Sequence, residues 1–249
     1  MSYPPLDTLK PIADGVHIVD SELPGLKGTI FPVRMTIIRL PGGNLILYSP
    51  TRFTDGLRRE LERLGEVRHL VAPSTAHWMF VGEWQTRYPQ AATWAAPGLR
   101  DRSGPARQRL RLDCDLPPEA PPEWAADIAL VMIEGALGYR EAALFHRPSR
   151  TLTLTDMVQN LEPSHLPLAA RPVPRLLGIA APHGGTPVHL RALLYPRRAQ
   201  VLKAAHRLLA LEPERIIFAH GAWFPEHGAE ALRNALRWLI PAPRAEHSS

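Results

Sequence analysis

The chain has 249 residues, of which 45% are hydrophobic and 21% are charged, and its formal net charge at pH 7 is +5. This composition supplies a large core and excludes a disordered chain, so we expect one globular domain over residues 1–249, with its core at about 10–240. The positive charge does not indicate a nucleic-acid partner, because arginine is widely spread and the most basic stretch, residues 99–112, has no aromatic side chain to stack on bases.

The first quarter of the sequence predicts a β-hairpin, a neighbouring strand and a helix. Residues 34–40 and 45–50 are apolar strands on either side of the turn sequence PGGN, and the β-branched residues 15–20 favour a further strand. Residues 54–65 then predict an amphipathic helix with three leucines on one face. Its N-terminal cap is either Thr54 or Asp55, and the helix ends at a glycine.

The next part of the chain predicts a strand, a helix and a strand. Residues 67–73 and 92–98 have strand patterns, and residues 77–88 between them have the pattern of an amphipathic helix that ends before Pro89. The proline-rich residues 115–124 are interpreted as an extended loop, because strand patterns resume directly after them.

The C-terminal half predicts three successive strands and, after an irregular segment, two helices, a last strand and a final helix. The irregular segment, residues 160–187, is a candidate cover for a site, and Asn160 is expected to hold it by side-chain hydrogen bonds. Mixed strands followed by alternating helices and strands favour an α/β fold, a four-layer αββα sandwich of two mixed β-sheets with outer helices. The predicted strands and helices of this half lie at 129–135, 141–147, 151–158, 188–210 (two helices), 215–221 and 227–239.

Three polar residues lie at the carboxyl ends of apolar strand patterns: His77 after RHLVAP, Asp156 after TLTLT and His220 after RIIFA. Polar residues at such ends often line the crevice of an α/β protein, and a buried charge is costly unless it is paired or bound to a metal. Imidazole nitrogen and carboxylate oxygen suit Zn²⁺ or non-haem Fe²⁺, and three such ligands leave one position open. The pattern therefore predicts a metal site, with Glu134 and His146 as weaker candidate ligands.

Each of these residues also has a purely structural interpretation. The Asp156 carboxylate fits a cap on the turn that follows it, and the His220 imidazole fits a brace at the end of a strand. His77 fits equally well as a core imidazole packed among Trp78, Phe80 and Trp84.

The stretches TLKPIADGVHIVD, HRPSRTLTLTDMVQN and FAHG, together with the order of elements, resemble the metallo-β-lactamase-like superfamily. The resemblance covers about residues 10–240 and is closest to a divergent bacterial branch of unknown function. It implies that Asp156 is the carboxylate that bridges two metal ions in other members and that His220, followed by Gly221, is the last histidine ligand.

The first ligand motif of that superfamily, His-x-His-x-Asp-His, is incomplete in this chain. Residues 74–76 are Ser, Thr and Ala, so only His77 is left to match its last position, and a shift of register would leave it matching no ligand. The separate histidine that precedes the bridging aspartate is also missing, and Glu134 is the nearest substitute. We therefore expect one Zn²⁺ or iron ion, or no metal.

The resemblance implies a mononuclear metal-dependent hydrolase in which His77, Asp156 and His220 act on an ester, lactone or related carbonyl of a small-molecule substrate. The alternatives are an iron-dependent oxidoreductase with the same ligands and a metal-free binding or interaction module. Neither a nucleic acid nor a membrane is expected as a partner. A cytoplasmic location is expected, because the N-terminus lacks the pattern of a signal peptide and Cys114 has no second cysteine to pair with.

Overall fold

The computed structural model describes residues 3–24 and 30–240, so residues 1–2, 25–29 and 241–249 of the predicted domain lie outside the described residues. The described chain forms two β-sheets and seven α-helices. The strands are β1 (Lys10–Ala13), β2 (Val16–Pro24), β3 (Ile30–Arg39), β4 (Asn44–Tyr48), β5 (Glu66–Ala72), β6 (Ala92–Ala95), β7 (Cys114–Asp115), β8 (Ile128–Glu134), β9 (Arg140–His146), β10 (Thr151–Thr153) and β11 (Arg215–Ile217). The helices are α1 (Asp55–Leu64), α2 (Val81–Arg87), α3 (Ser103–Arg107), α4 (Val173–Leu177), α5 (Val188–Leu194), α6 (Arg198–Ala210) and α7 (Gly228–Ala235).

The first sheet has seven strands in chain order, β1 to β7. Its first four strands are antiparallel, and the predicted hairpin is confirmed by the register of β3 on β4, in which Ile38 pairs with Ile46. From β4 to β7 the strands are parallel, with α1 and α2 in the connections. Helix α1 begins where the Thr54 hydroxyl accepts a hydrogen bond from the Leu57 N–H at 3.1 Å, which selects Thr54 as the cap.

The second sheet has four strands in the order β11-β10-β9-β8. Strands β8, β9 and β10 are antiparallel neighbours, whereas β11 is parallel to β10. The carboxyl ends of β10 and β11 therefore lie side by side at one edge of the sheet.

The hydrophobic core forms three layers of contacts, which confirms the predicted four-layer αββα sandwich. Helices α1 and α2 cover the outer face of the first sheet, and helices α5, α6 and α7 cover the outer face of the second. The two sheets face each other through a third cluster of buried side chains, which includes Ile38, Ile46, Tyr48, Val71, Leu130 and Leu144.

Several predicted elements are shorter in the structure, among them the last strand, which was predicted over 215–221 and ends at Ile217. The helix predicted over 77–88 begins only at Val81, because the Ser74 hydroxyl accepts hydrogen bonds from the N–H groups of Ala76 (3.3 Å) and His77 (3.2 Å) and holds an irregular turn there. The strand predicted over 151–158 ends at Thr153, because the N–H groups from Thr155 to Met157 bond to the side chain of Glu141 on β9 instead of to a neighbouring strand. These three shortened elements leave irregular backbone next to the candidate ligands.

Among the described helices, none combines the length and the apolar character that crossing a bilayer requires.

Candidate metal centre

Three loops at one edge of the sandwich bring His77, Asp156 and His220 together. His77 lies in the turn after β5 of the first sheet, whereas Asp156 and His220 follow the neighbouring strands β10 and β11 of the second. The candidate ligand atoms of the three residues all lie within 4.8 Å of one another. Within the described part of the chain, this trio is the one group of three or more His, Cys, Asp or Glu side chains with such geometry.

Asp156 lies between the two imidazoles. Its Oδ2 is 3.2 Å from His77 Nε2, and its Oδ1 is 3.3 Å from His220 Nε2. The three side chains retain 11%, 19% and 21% of their exposure in the order His77, Asp156, His220, so the trio is shielded but still open to a small molecule. Two nitrogen donors and one carboxylate thus converge on one point, with room for a further ligand.

The second ring nitrogen of each histidine is already held, as is usual for metal ligands. His220 Nδ1 lies 2.7 Å from the Pro32 carbonyl oxygen. Because a carbonyl only accepts, Nδ1 carries a proton, so Nε2 is the nitrogen that would be left to bind a metal ion. His77 Nδ1 lies 2.9 Å from the Ser49 hydroxyl, which supports the same arrangement. The residues present therefore fit a bound Zn²⁺ or Fe²⁺ ion.

The loop that carries Asp156 is fastened to a buried carboxylate. Glu141, on β9, is fully buried; its Oε1 accepts a hydrogen bond from the Thr155 N–H at 2.7 Å, and its Oε2 accepts from the N–H groups of Met157 (3.0 Å) and Asp156 (3.2 Å). The Tyr139 hydroxyl donates a further hydrogen bond to Oε2. Glu141 thus holds the backbone on both sides of Asp156.

The loop that carries His220 is fastened from the opposite sheet. The buried Arg34 guanidinium, paired with Asp20, donates from Nη1 to the carbonyl oxygens of Phe218 (2.9 Å) and Gly221 (2.8 Å). Asn160 makes the side-chain bond expected of it, from Nδ2 to the Ala222 carbonyl at 2.9 Å.

Gly221 is required beside His220 for two reasons. Its φ of +97° is a conformation that residues with a side chain rarely adopt, and a Cβ at this position would lie 2.2 Å from the Asn160 carbonyl oxygen. The glycine therefore lets the two loops approach closely enough to place His220 against Asp156.

The electrostatics of the trio favour a cation. Burial alone would raise the pKa of Asp156, but the charges and hydrogen bonds of His77 and His220 outweigh it and hold that pKa well below its usual range. Burial alone would lower the pKa of His77, but the Asp156 carboxylate outweighs it and raises that pKa. Burial, reinforced by the charge of Asp156, raises the pKa of Glu141, while its hydrogen bonds oppose the rise. The centre thus carries negative charge that stabilises positive charge on its neighbours.

The two weaker candidates do not join the trio. Glu134 forms ion pairs with Arg140 (3.3 Å) and Arg197 (3.4 Å) at a partly exposed position. His146 pairs with Thr151 at the start of β10, the end of the strand that is remote from Asp156, and its Nδ1 contacts the Ser149 hydroxyl at 2.7 Å. Both side chains already have partners away from the centre, so the structure corrects their inclusion.

The residues around the ligands were missed by sequence reasoning. Ser49, directly after β4, could have been predicted from the sequence. It is a polar residue at the carboxyl end of a parallel strand, and such residues lie at the same edge of the sheet as those that follow the neighbouring strands. Glu141 and Arg34 had a weaker signal, a charged residue in a strand that is otherwise mostly apolar. The Pro32 carbonyl had none, since any residue supplies a backbone oxygen.

We expect Ser49→Ala to weaken metal binding by about 10-fold to 100-fold, because the hydroxyl that orients the His77 ring is lost while the ligand remains. Competition with a chromophoric zinc chelator measures the affinity. Ser149→Ala is a matched control, since Ser149 bonds in the same way to His146, an imidazole outside the centre. Unchanged affinity in Ser49→Ala would show that the serine does not support the site.

Comparison with known proteins identifies a family and a fold. A family model described as "Domain of unknown function (DUF4336)" matches residues 14–181. No curated protein matches the sequence.

Solved metallo-β-lactamases share the fold over nearly the whole chain. The enzyme from Hirschia baltica has 12% identity and a TM-score of 0.61, covering 95% of this chain and 99% of its own. FIM-1 from Pseudomonas aeruginosa, solved in a mono-zinc form, has 16% identity and a TM-score of 0.58, covering 94% and 96%. The enzyme from Pontibacter korlensis has 13% identity and a TM-score of 0.56, covering 91% and 99%. At such identities the likeness establishes the fold alone.

Proposed function

The chain belongs to the DUF4336 family and has the metallo-β-lactamase fold, and from that premise we propose that it is a hydrolase that holds one metal ion with His77, Asp156 and His220. Its substrate is a small molecule with a carboxylic ester, a lactone or a related carbonyl. The observation that carries the proposal is the convergence of the three ligand atoms while both Nδ1 atoms are held elsewhere.

Several observations support a single ion. The two nitrogens and the carboxylate suit Zn²⁺ or Fe²⁺ and leave a position open for substrate. Ser74, which stands in the incomplete first motif, is buried and bonds to backbone N–H groups, so it serves the turn and not a second ion. The mono-zinc form of FIM-1 shows that the fold accommodates one zinc ion.

A bound Zn²⁺ or Fe²⁺ ion supplies a Lewis acid that activates water and polarises a carbonyl group. Ser49 and the Pro32 carbonyl fix the two rings so that Nε2 of His77 and Nε2 of His220 face the common point, where they would hold the ion. Asp156 is ionised at neutral pH, as its lowered pKa requires, and its carboxylate accepts a hydrogen bond from the attacking water and orients it.

The trio opens into a small cavity of about 200 Å³ that suits the reacting group of a substrate. The trio, with Ser49 and Thr51, supplies the polar part of its wall. The rest is apolar and includes Leu23, Val33, Trp78, Met79 and Phe80. Apolar walls exclude bulk water, which strengthens the interaction between the charged groups and a polarised carbonyl.

A metal-free binding module on the same fold is the second candidate. It is favoured by the direct contacts of Asp156 with both imidazoles, which satisfy the trio internally, and by the incomplete first motif. Metal content separates the two candidates.

Elemental analysis of protein purified without an affinity tag tests the proposal. We expect about one zinc or iron per chain in the wild type, and loss of that metal in His77→Ala and in His220→Ala, because two remaining ligands hold such an ion poorly. His206→Ala, an exposed histidine on α6, is the control and should keep the metal. Metal near zero in the wild type, with unchanged unfolding after chelation, would instead support the metal-free module.

A further inference from the structure

A second and larger cavity lies beside the candidate metal centre. Its volume is about 440 Å³, within the usual range for small-molecule sites, and His220 lines both this cavity and the small one that contains His77 and Asp156. Pro32, whose carbonyl holds the His220 ring, also lines it. The two cavities therefore lie on either side of the His220 side chain, close enough for one substrate to occupy both.

The lining is mostly apolar and comes largely from the irregular segment that was predicted to cover a site. This wall includes Leu161, Leu166, Ala170, Val173, Leu177 and Ile179. The segment is closed on itself by hydrogen bonds from Leu161 N–H to the Ile179 carbonyl (2.8 Å) and from Ala181 N–H to the Leu161 carbonyl (2.9 Å). The cavity is thus part of the fold, because backbone hydrogen bonds join the two ends of the segment that forms its wall.

Polar groups in the lining largely bond to one another. Glu162, the one carboxylate among the described lining residues, accepts a hydrogen bond from the Tyr3 hydroxyl at 2.9 Å and lies 3.3 Å from His165. No lysine or arginine is among the described lining residues, so the lining offers no permanently charged cation to an anionic ligand. An apolar and uncharged group fits this lining best, because each buried methylene gains free energy and an unpaired buried charge loses it.

Exposed apolar side chains continue from the cavity onto the surface. Phe31 and Val173, which line it, are 54% and 43% exposed, and Leu168 and Leu176 on the same segment are each 77% exposed. Such clustering is unusual for a surface without a ligand.

We propose that the 440 Å³ cavity binds a neutral hydrocarbon chain attached to the substrate's carbonyl group. The inference rests on the proposed function, since it takes the trio as the place where the carbonyl reacts. It assigns the substrate class as esters or lactones with an apolar chain, in preference to those with an anionic or strongly polar substituent.

Calorimetric titration with 2-alkanones of four to ten carbons tests the cavity without requiring turnover. We expect binding to tighten by about fourfold for each added methylene until the cavity is full. Ala170→Phe, which fills the cavity, should weaken binding of the longer alkanones at least about tenfold. The matched control is Ala169→Phe, because Ala169 is exposed, adjacent in the chain and outside the lining, and its binding should equal that of the wild type.

A second variant keeps the test valid if Ala170→Phe does not fold. Leu177→Ala enlarges the cavity and should move the best-bound alkanone to a longer chain. Binding that is independent of chain length, or that responds equally to Ala170→Phe and Ala169→Phe, would overturn the proposal.

Hydrolysis of p-nitrophenyl esters from acetate to octanoate separates this proposal from the proposed function. A rise of kcat/KM with chain length that Ala170→Phe removes supports both. Alkanone binding with the expected chain dependence but no ester hydrolysis supports the cavity assignment and contradicts the hydrolase. Hydrolysis at the same kcat/KM for acetate and octanoate, with no alkanone binding, supports the hydrolase and overturns the cavity assignment.

Discussion

Asp156→Asn should abolish detectable hydrolysis and lower the affinity for the metal ion by more than about 100-fold, which exceeds the usual effect of a change beside a ligand. The carboxylate contacts both imidazoles, at 3.2 and 3.3 Å, so it is the member of the trio that touches the other two. Asparagine keeps the shape but removes the negative charge, and its amide N–H₂ must face one of the two histidines. Titration against a competing chelator and the rate of ester hydrolysis measure the two losses.

The control for this substitution is Asp101→Asn, which makes the same chemical change at an exposed position outside the centre. It should retain the metal affinity and the activity of the wild type. A fully active and metal-loaded Asp156→Asn protein would remove Asp156 from the proposed ligand set.

Glu141→Gln should destabilise the protein by about 3 to 5 kcal/mol, a large part of the stability of an ordinary domain. Four donors converge on the two oxygens of this fully buried carboxylate: three backbone N–H groups of residues 155–157 and the Tyr139 hydroxyl. Glutamine replaces one oxygen by an N–H₂ group that cannot accept, so buried donors are left unpaired on that side. Urea unfolding should show a lower midpoint with an unchanged slope.

Glu134→Gln is the matched control for stability. Glu134 carries the same side chain but is partly exposed, and its ion pairs with Arg140 and Arg197 should contribute less than about 1 kcal/mol. Equal losses of stability in the two variants would show that the Glu141 network does not hold the loop.

The two variants separate the chemistry of the centre from its support. Asp156→Asn should leave the loop attached, because Glu141 bonds to backbone N–H groups and not to the Asp156 side chain. Glu141→Gln should loosen the backbone that positions Asp156, so metal affinity falls together with stability.

The sequence determined the elements, the fold and the candidate ligands because these depend on local patterns. Two apolar runs on either side of a PGGN turn specify the β3–β4 hairpin, and the leucine spacing with Thr54 specifies α1. His77, Asp156 and His220 were recognisable because each follows a strand, and parallel strands such as β10 and β11 end at the same edge of a sheet. The sequence also showed that the first ligand motif is incomplete, because residues 74–77 contain only one histidine.

The tertiary structure alone decided which of these residues meet and what surrounds them. Arg34 contacts the carbonyls of Phe218 and Gly221, and the Pro32 carbonyl holds His220, across more than 180 positions of the chain. No local pattern encodes such pairs, since they depend on how two sheets pack and on the register of each strand. For the same reason the residue types of Glu134 and His146 suggested ligands, whereas the structure gives both side chains other partners. The apolar cavity likewise exists only because the irregular segment folds back beside His220.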